Sequence, residues 1–343
     1  MTPGAGSAVE FVAPREVEVV AIDPSQPGPQ EVRVESILSA VSAGTERLVY
    51  CGDLDPTTAT DTELPALNGD LSYPLRYGYA VVGTVTAVGD AVDPAWNGRT
   101  VFGFNPHESQ FLAEPENLYP VPDDLSPAVA SLFANTETAV NFTLDAAPRI
   151  GERIAVFGQG VVGLLTTALL ARSSAETVIA VEPCEHRRKT AAALGADQTI
   201  DPTAVDAASA INDRTEGVDI AVEVSGRPET LETAVEVTRF GGEVLAGSWY
   251  GTKRAELGFG DHFHRNRVSI TSSQVSTIAP ELRGRWDHER RRETTWRALR
   301  RLTADVELED HLVTDRVSVS EAPSVYRRLT AAPDATLQVL FTY

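Results

Sequence analysis

The 343-residue sequence holds only two cysteines, Cys51 and Cys184, too few for a disulfide framework or a four-cysteine zinc knot. Lysine is as scarce: Lys189 and Lys253 are the only two, so arginine carries nearly all the positive charge. Its 29 basic residues face 49 acidic ones, and the net charge of −20 repels nucleic acid and anionic membranes. This balance fits either a surface tuned for solubility or adaptation to molar salt. No apolar run approaches the roughly 20 residues that span a bilayer. The opening MTPGAGSAVEFVAPREVEVV has neither the basic start nor the apolar stretch of a signal peptide, which points to a cytoplasmic protein. What is present is a 42% hydrophobic content, enough for a large core, over a length that suits two domains.

Residues 1–125 read as short strands and turns. EVRVESILSAVSAG, GYAVVGTVTAVGDAV and TVFGFN are β-branched runs punctuated by Gly, Pro and Asp, and Pro94, Pro106, Pro115, Pro120 and Pro122 argue against helix. The pattern changes at Ser126-Pro127, an N-cap followed by proline, which opens a helix through SPAVASLFANTETAVNFTLDAA. Strands and helices then alternate: RIAVF, VVGLLTTALLAR, TVIAVE, EHRRKTAAALGA, QTI, VDIAVEVS, PETLETAVEVTRFGG with a glycine stop, EVLAGSWYG and VSITSSQV. Such alternation predicts a doubly wound parallel sheet over 126–275. A long helix near 287–304, the strand-like HLVTDRVSV, a short helix capped by Ser320 and the strand LQVLFTY fill 276–343.

GERIAVFGQGVVGLL contains G-x-G-x-x-G at Gly158, Gly160 and Gly163, between a predicted strand and a predicted helix. Gly158 permits the tight turn, Gly160 lets backbone approach a pyrophosphate, and Gly163 lets the helix pack close. The helix start, with Gln159, Val161 and Val162, offers amide hydrogens to the phosphates. Glu182, 19 residues on, ends the next strand, where a carboxylate accepts ribose hydroxyls and favours NAD; Arg187 and Arg188 leave NADP open. Rossmann loops of this kind also serve FAD and S-adenosylmethionine.

On SAVSAGTE (39–46), GYAVVGTVTAVGDAV (78–92), RTVFGF (99–104), ETAVN (137–141) and this glycine loop, the chain resembles the medium-chain dehydrogenase/reductase superfamily over nearly its whole length. SAGTE with its tyrosine-glycine segment is similar to the branch containing bacteriochlorophyllide dehydrogenase. The resemblance implies a GroES-like β domain (1–125), a Rossmann domain (126–275) and a tail (276–343) returning to the first. It further implies hydride transfer between NAD(P) and a small-molecule substrate, and homodimers or homotetramers joined through the Rossmann sheets.

Zinc-dependent members place ligands where this sequence has Ser42, Gly78-Tyr79-Ala80, and Ala130 or Ser131, and their four-cysteine lobe is missing. The resemblance therefore implies an enzyme without catalytic zinc, a rearranged site using Glu46, His107 or Glu137 being the alternative. Without zinc, hydrogen-bond donors must stabilise the developing oxyanion and deliver the proton. The positions that the family sets in the cleft are Ser42, Thr45, Tyr79, His107 and Glu137, with Tyr79 standing for a lost ligand histidine; Glu46, next to Thr45, is a candidate relay carboxylate. Each also has a bland reading, as a core tyrosine, a turn cap, a surface acid or a helix-end charge. An alcohol or polyol dehydrogenase is the leading expectation. A zinc-free reductase of quinones or enones, or a dinucleotide-binding protein without turnover, are the alternatives. The basic run RGRWDHERRR (283–292) reads as a solvated helix start or as a surface greeting an anionic substrate. His262, His264 and Arg265, near the last strand of the cofactor domain, read as lining the far side of the cleft.

Overall fold

A computed structural model describes residues 6–23, 26–60, 64–67 and 69–343. The first five residues of the opening stretch considered above lie outside them. The chain forms two compact units, one of Met1–Ala134 with Glu307–Tyr343, the other of Asn135–Val306. No helix among the described residues is long and apolar enough to cross a membrane.

The first unit is built on a seven-stranded sheet. Its path runs Val313–Ser318, Gln338–Thr342, Val32–Val41, Val81–Val88, Thr100–Gly103, Leu118–Pro120, while Gln110–Ala113 pairs off the path with Val32–Val41. A separate antiparallel pair, Gly6–Ala13 and Glu16–Ile22, precedes it. The ten-residue strand Val32–Val41 touches three partners, which its dense β-branched content suits. Phe11, Tyr50, Tyr77, Tyr326 and Phe341 form much of one core.

Two local expectations change here. Thr45–Cys51 is a helix rather than a turn, closed by Gly52 in the left-handed region at φ 73°. Seven residues carry too little periodicity to announce it. The short helix Ala322–Ala331 is entered through a 3-10 turn, and Ser318, not Ser320, supplies the hydroxyl cap of that turn.

The second unit holds six parallel strands in the order Gln198–Ile200, Thr177–Val181, Arg153–Phe157, Val218–Glu223, Thr238–Ala246, Ser269–Ser272. This is the doubly wound Rossmann sheet. In Arg153–Phe157, Ile154 and Val156 join one core while Ala155 and Phe157 join another. Both faces are covered, so the strand reads as an unbroken apolar run.

Ser126 caps its helix through the Val129 amide at 3.2 Å, but that helix stops at Ala130 and resumes as Phe133–Ala146. Gly195 ends Glu185–Leu194 as expected, at φ 116°. Thr230–Val237 ends before the expected glycine stop, because Thr238 already pairs with Val218 and starts the next strand. Ala207–Thr215, capped by Asp206, was not anticipated. Residues 276–306 cluster with the second unit rather than with the returning tail. The helix His288–Asp305 is fastened there by Arg291 on Glu137 and by Asp305 on Arg172.

Candidate active site

The glycine loop follows the strand Arg153–Phe157. Gly158 has φ 92°, and a Cβ there would lie 2.5 Å from the Ser225 backbone. A Cβ on Gly163 would lie 2.0 Å from the Gly158 carbonyl oxygen, so the helix Val161–Leu170 rests directly on the turn. Gly160 differs: nothing lies within 4 Å of its missing Cβ. No side chain caps this helix, so the first-turn amides of Val161, Val162 and Gly163 border that open space. Two glycines required by packing and one facing free volume form a cradle that fits a pyrophosphate.

The Gln159 side chain turns inward, accepting from Thr167 Oγ1 at 3.0 Å and donating to Val156 O at 3.1 Å. Its backbone amide donates to Glu182 Oε2 at 2.7 Å, and Glu182 Oε1 accepts from the Cys184 amide at 3.0 Å. Glu182 thus ties the loop to the tip of the neighbouring strand, where it is buried. Arg188 donates to the carbonyls of Glu182 and Pro183 and pairs with Asp201 at 2.9 Å, whereas Arg187 lies half-buried on the helix Glu185–Leu194.

A second buried acid, Glu223, ends the strand Val218–Glu223 and was missed from sequence. It accepts from the Ser225 amide at 2.8 Å and from the Ser225 and Tyr250 hydroxyls. Burial, with the Glu223 charge beside it, pushes the Tyr250 phenol well above its ordinary range. The rule that found Glu182, an acid at the carboxyl end of a parallel strand, applies equally to Glu223.

In the first unit, five of the six proposed catalytic positions come together. The Tyr79 hydroxyl donates to Ser42 Oγ and, at 3.3 Å, to Thr45 Oγ1. The Ser42 amide donates to Glu46 Oε1 at 2.7 Å. Glu46 Oε2 meets His107 Nε2 at 3.0 Å and accepts from the Tyr326 hydroxyl at 2.6 Å. Both Glu46 and His107 are fully buried. The other ring nitrogen, Nδ1, meets Ser39 Oγ at 2.7 Å, which in turn meets the Tyr343 hydroxyl at 2.8 Å. Gly78, at φ 119°, lies against the His107 ring; a Cβ there would sit 2.7 Å from it. Burial is the main reason the Tyr79 phenol titrates above its ordinary value of 10.0, and the Glu46 charge adds to it.

Ser39, Tyr326 and Tyr343 were missed, and no local motif marks them, since Tyr326 is 280 residues from Glu46. Glu137 belongs to the second unit, where it is buried against Arg291 at 3.1 Å. His262 reaches Thr238 O at 2.8 Å and Asn266 at 2.9 Å, while His264 and Arg265 are exposed. All three precede a parallel strand, at the sheet edge opposite the glycine loop, which removes them from the site. Arg290 of the basic run stacks over Trp286 at 4.3 Å.

Among the described residues, no group of three or more His, Cys, Asp or Glu is placed to hold a metal. The donors at the ligand positions do not fit zinc. Ser42 and Tyr79 offer neutral hydroxyls bonded to one another, and both His107 nitrogens are engaged.

Residues 161–288 match the zinc-binding dehydrogenase family. The chain is 26% identical to D-guloside 3-dehydrogenase of Escherichia coli K12 over 274 residues, 78% of this chain and 77% of that one. The structure of 2R,3R-butanediol dehydrogenase from Bacillus subtilis superposes with a TM-score of 0.80 at 21% identity, covering 98% of this chain and 99% of that one. A Sinorhizobium meliloti 1021 structure bound to NADP does so at 0.78 and 22%, covering 99% of each. The chain thus matches the zinc-binding dehydrogenase family over residues 161–288 and shares the fold of these dehydrogenase structures from end to end.

Proposed function

We propose that this protein is an NAD(P)-dependent oxidoreductase acting on an alcohol or its carbonyl partner without catalytic zinc. The observation that carries the reading is the cradle at Gly158–Gly163, open at Gly160 and closed to any side chain at its two other glycines. Gly158, Gly160 and the amides of Val161, Val162 and Gly163 would hold the pyrophosphate. The Gln159 amide and Glu182 hold the loop, and Glu182 and Arg187 would receive the adenosine ribose. An acid there, with Arg188 already spent on Asp201, favours NAD over NADP. Bound nicotinamide supplies a hydride acceptor or donor.

Tyr79 is the proton donor. Its phenol stays protonated through neutral pH, so it gives a hydrogen bond to a substrate oxygen as negative charge develops there, with Ser42 and Thr45 setting its direction. Glu46 and His107 act as positioning residues, holding the Ser42 amide from beneath. Glu137 takes no part, its carboxylate being given to Arg291. Secondary alcohols and polyols are the class to try first, the similar proteins being named for a D-guloside and for 2R,3R-butanediol.

We also place the protein in the cytoplasm as a homo-oligomer. The edge strand Ser269–Ser272 has one neighbour and is exposed at three of its four positions, which suits pairing with a second copy. The test is a turnover screen of alcohols and polyols with NAD and NADP, on protein whose metal content is measured. Activity on alcohols at zinc well below stoichiometric supports the reading. Activity confined to enones or quinones, or strictly proportional to zinc, overturns it.

A further inference from the structure

Arg291 has no role in the reading above, yet its guanidinium is buried and satisfied on several sides. Nε pairs with Glu137 at 3.1 Å, Nη1 donates to Asn141 Oδ1 at 2.8 Å and Thr277 O at 3.3 Å, and Nη2 donates to Val275 O at 2.5 Å. Next to it, Asn141 donates to Ser273 Oγ at 3.0 Å and Asp145 Oδ2 at 3.0 Å, and Ser273 donates to Asp145. Residues 273, 274, 275 and 277 are therefore each held to the helix Phe133–Ala146 or to Arg291, Gln274 through its carbonyl at 3.4 Å from Asn141 Nδ2.

That loop follows the carboxyl end of the strand Ser269–Ser272. In an open parallel sheet, ligands lie outside the carboxyl ends of the strands. The glycine loop and Glu182 belong to the half of the sheet that takes the adenosine. Strands Val218–Glu223, Thr238–Ala246 and Ser269–Ser272 form the other half, whose ends face the rest of a dinucleotide. A buried ion pair seldom adds net stability over an apolar replacement, so its value here is geometric. The planar fork of an arginine can hold a helix carboxylate, an amide and two loop carbonyls at once; a lysine cannot.

We infer that Arg291 is a positioning residue for the nicotinamide end of the cofactor, fixing residues 273–277 where that ring is received. The inference rests on the dinucleotide reading above and adds which residue shapes its second half. Arg291→Lys keeps the charge and loses the fork. The probes are NADH and ADP-ribose, which lacks the nicotinamide, titrated by calorimetry. In the variant the Kd for NADH rises about tenfold or more, while that for ADP-ribose stays within about twofold.

A second measurement needs no variant. Hydrogen exchange at residues 273–277 of the native protein slows more with NADH than with ADP-ribose. Equal weakening of both ligands in Arg291→Lys, no weakening of either, or equal protection by both overturns the positioning role alone. Native protein that binds neither ligand overturns the dinucleotide reading itself.

Discussion

Tyr79 shows what a single hydroxyl is asked to do. Its oxygen is shared between Ser42 and Thr45, so Tyr79→Phe removes a donor and leaves the ring in place. We expect kcat to fall about 10²- to 10⁴-fold with the Kd for NADH unchanged, measured by steady-state kinetics and calorimetry. Burial raises the pKa of Tyr79, Tyr326, Tyr343 and Tyr250 alike. Above pH 10, the ordinary value, the unfolded chain therefore releases protons that the folded one retains. Stability is untouched by these groups below that point and falls as pH climbs through it. Urea melts from pH 8 to 11 check this: a midpoint that holds up to pH 11 contradicts it. Gly78 gives a steric counterpart. Gly78→Ala puts a methyl into the His107 ring at a φ of 119°, and we expect a loss of about 1–3 kcal/mol in the same melts.

At the level of elements, the glycine turn separates binding from folding. Gly160→Ala meets no neighbour, so the protein should melt as the native one does and yet bind NADH at least ~10-fold more weakly. Gly163→Ala collides with the Gly158 carbonyl and should lower the melting temperature as well. Equal effects of the two substitutions would contradict this division. The cofactor half could be read because its chemistry is contiguous: one turn, one helix start and one strand tip lie within 25 residues, 158–182. Long elements with strong patterns, such as Arg153–Phe157 and His288–Asp305, were legible for the same reason. Short or weakly apolar ones were not. Ala207–Thr215 has few buried positions, and Thr45–Cys51 is too brief for a period. The Glu46 cluster was half legible. Ser42, Thr45, Tyr79 and His107 could be named one by one, but their meeting, and Tyr326 with them, depends on strand pairing across the chain.

Over the whole molecule, a net charge of −20 works against compaction. The melting temperature should rise between ~0.1 M and ~1 M salt, as the Debye length falls from ~10 Å to ~3 Å. Scanning calorimetry over that range tests it, and a flat or falling curve speaks against it. If copies pair through Ser269–Ser272, Ile270→Pro should shift the mass seen by light scattering toward the monomer. Connectivity has a further consequence. The second unit is one unbroken stretch, 135–306, whereas the first draws its strand Gln338–Thr342 from beyond it and seats that strand between Val32–Val41 and Val313–Ser318. On the ribosome, the insert is wholly synthesised while its host still waits for Tyr326 and the closing strand. A stalled nascent chain should thus acquire its grip on NADH well before Tyr79 and Glu46 have a finished floor to stand on.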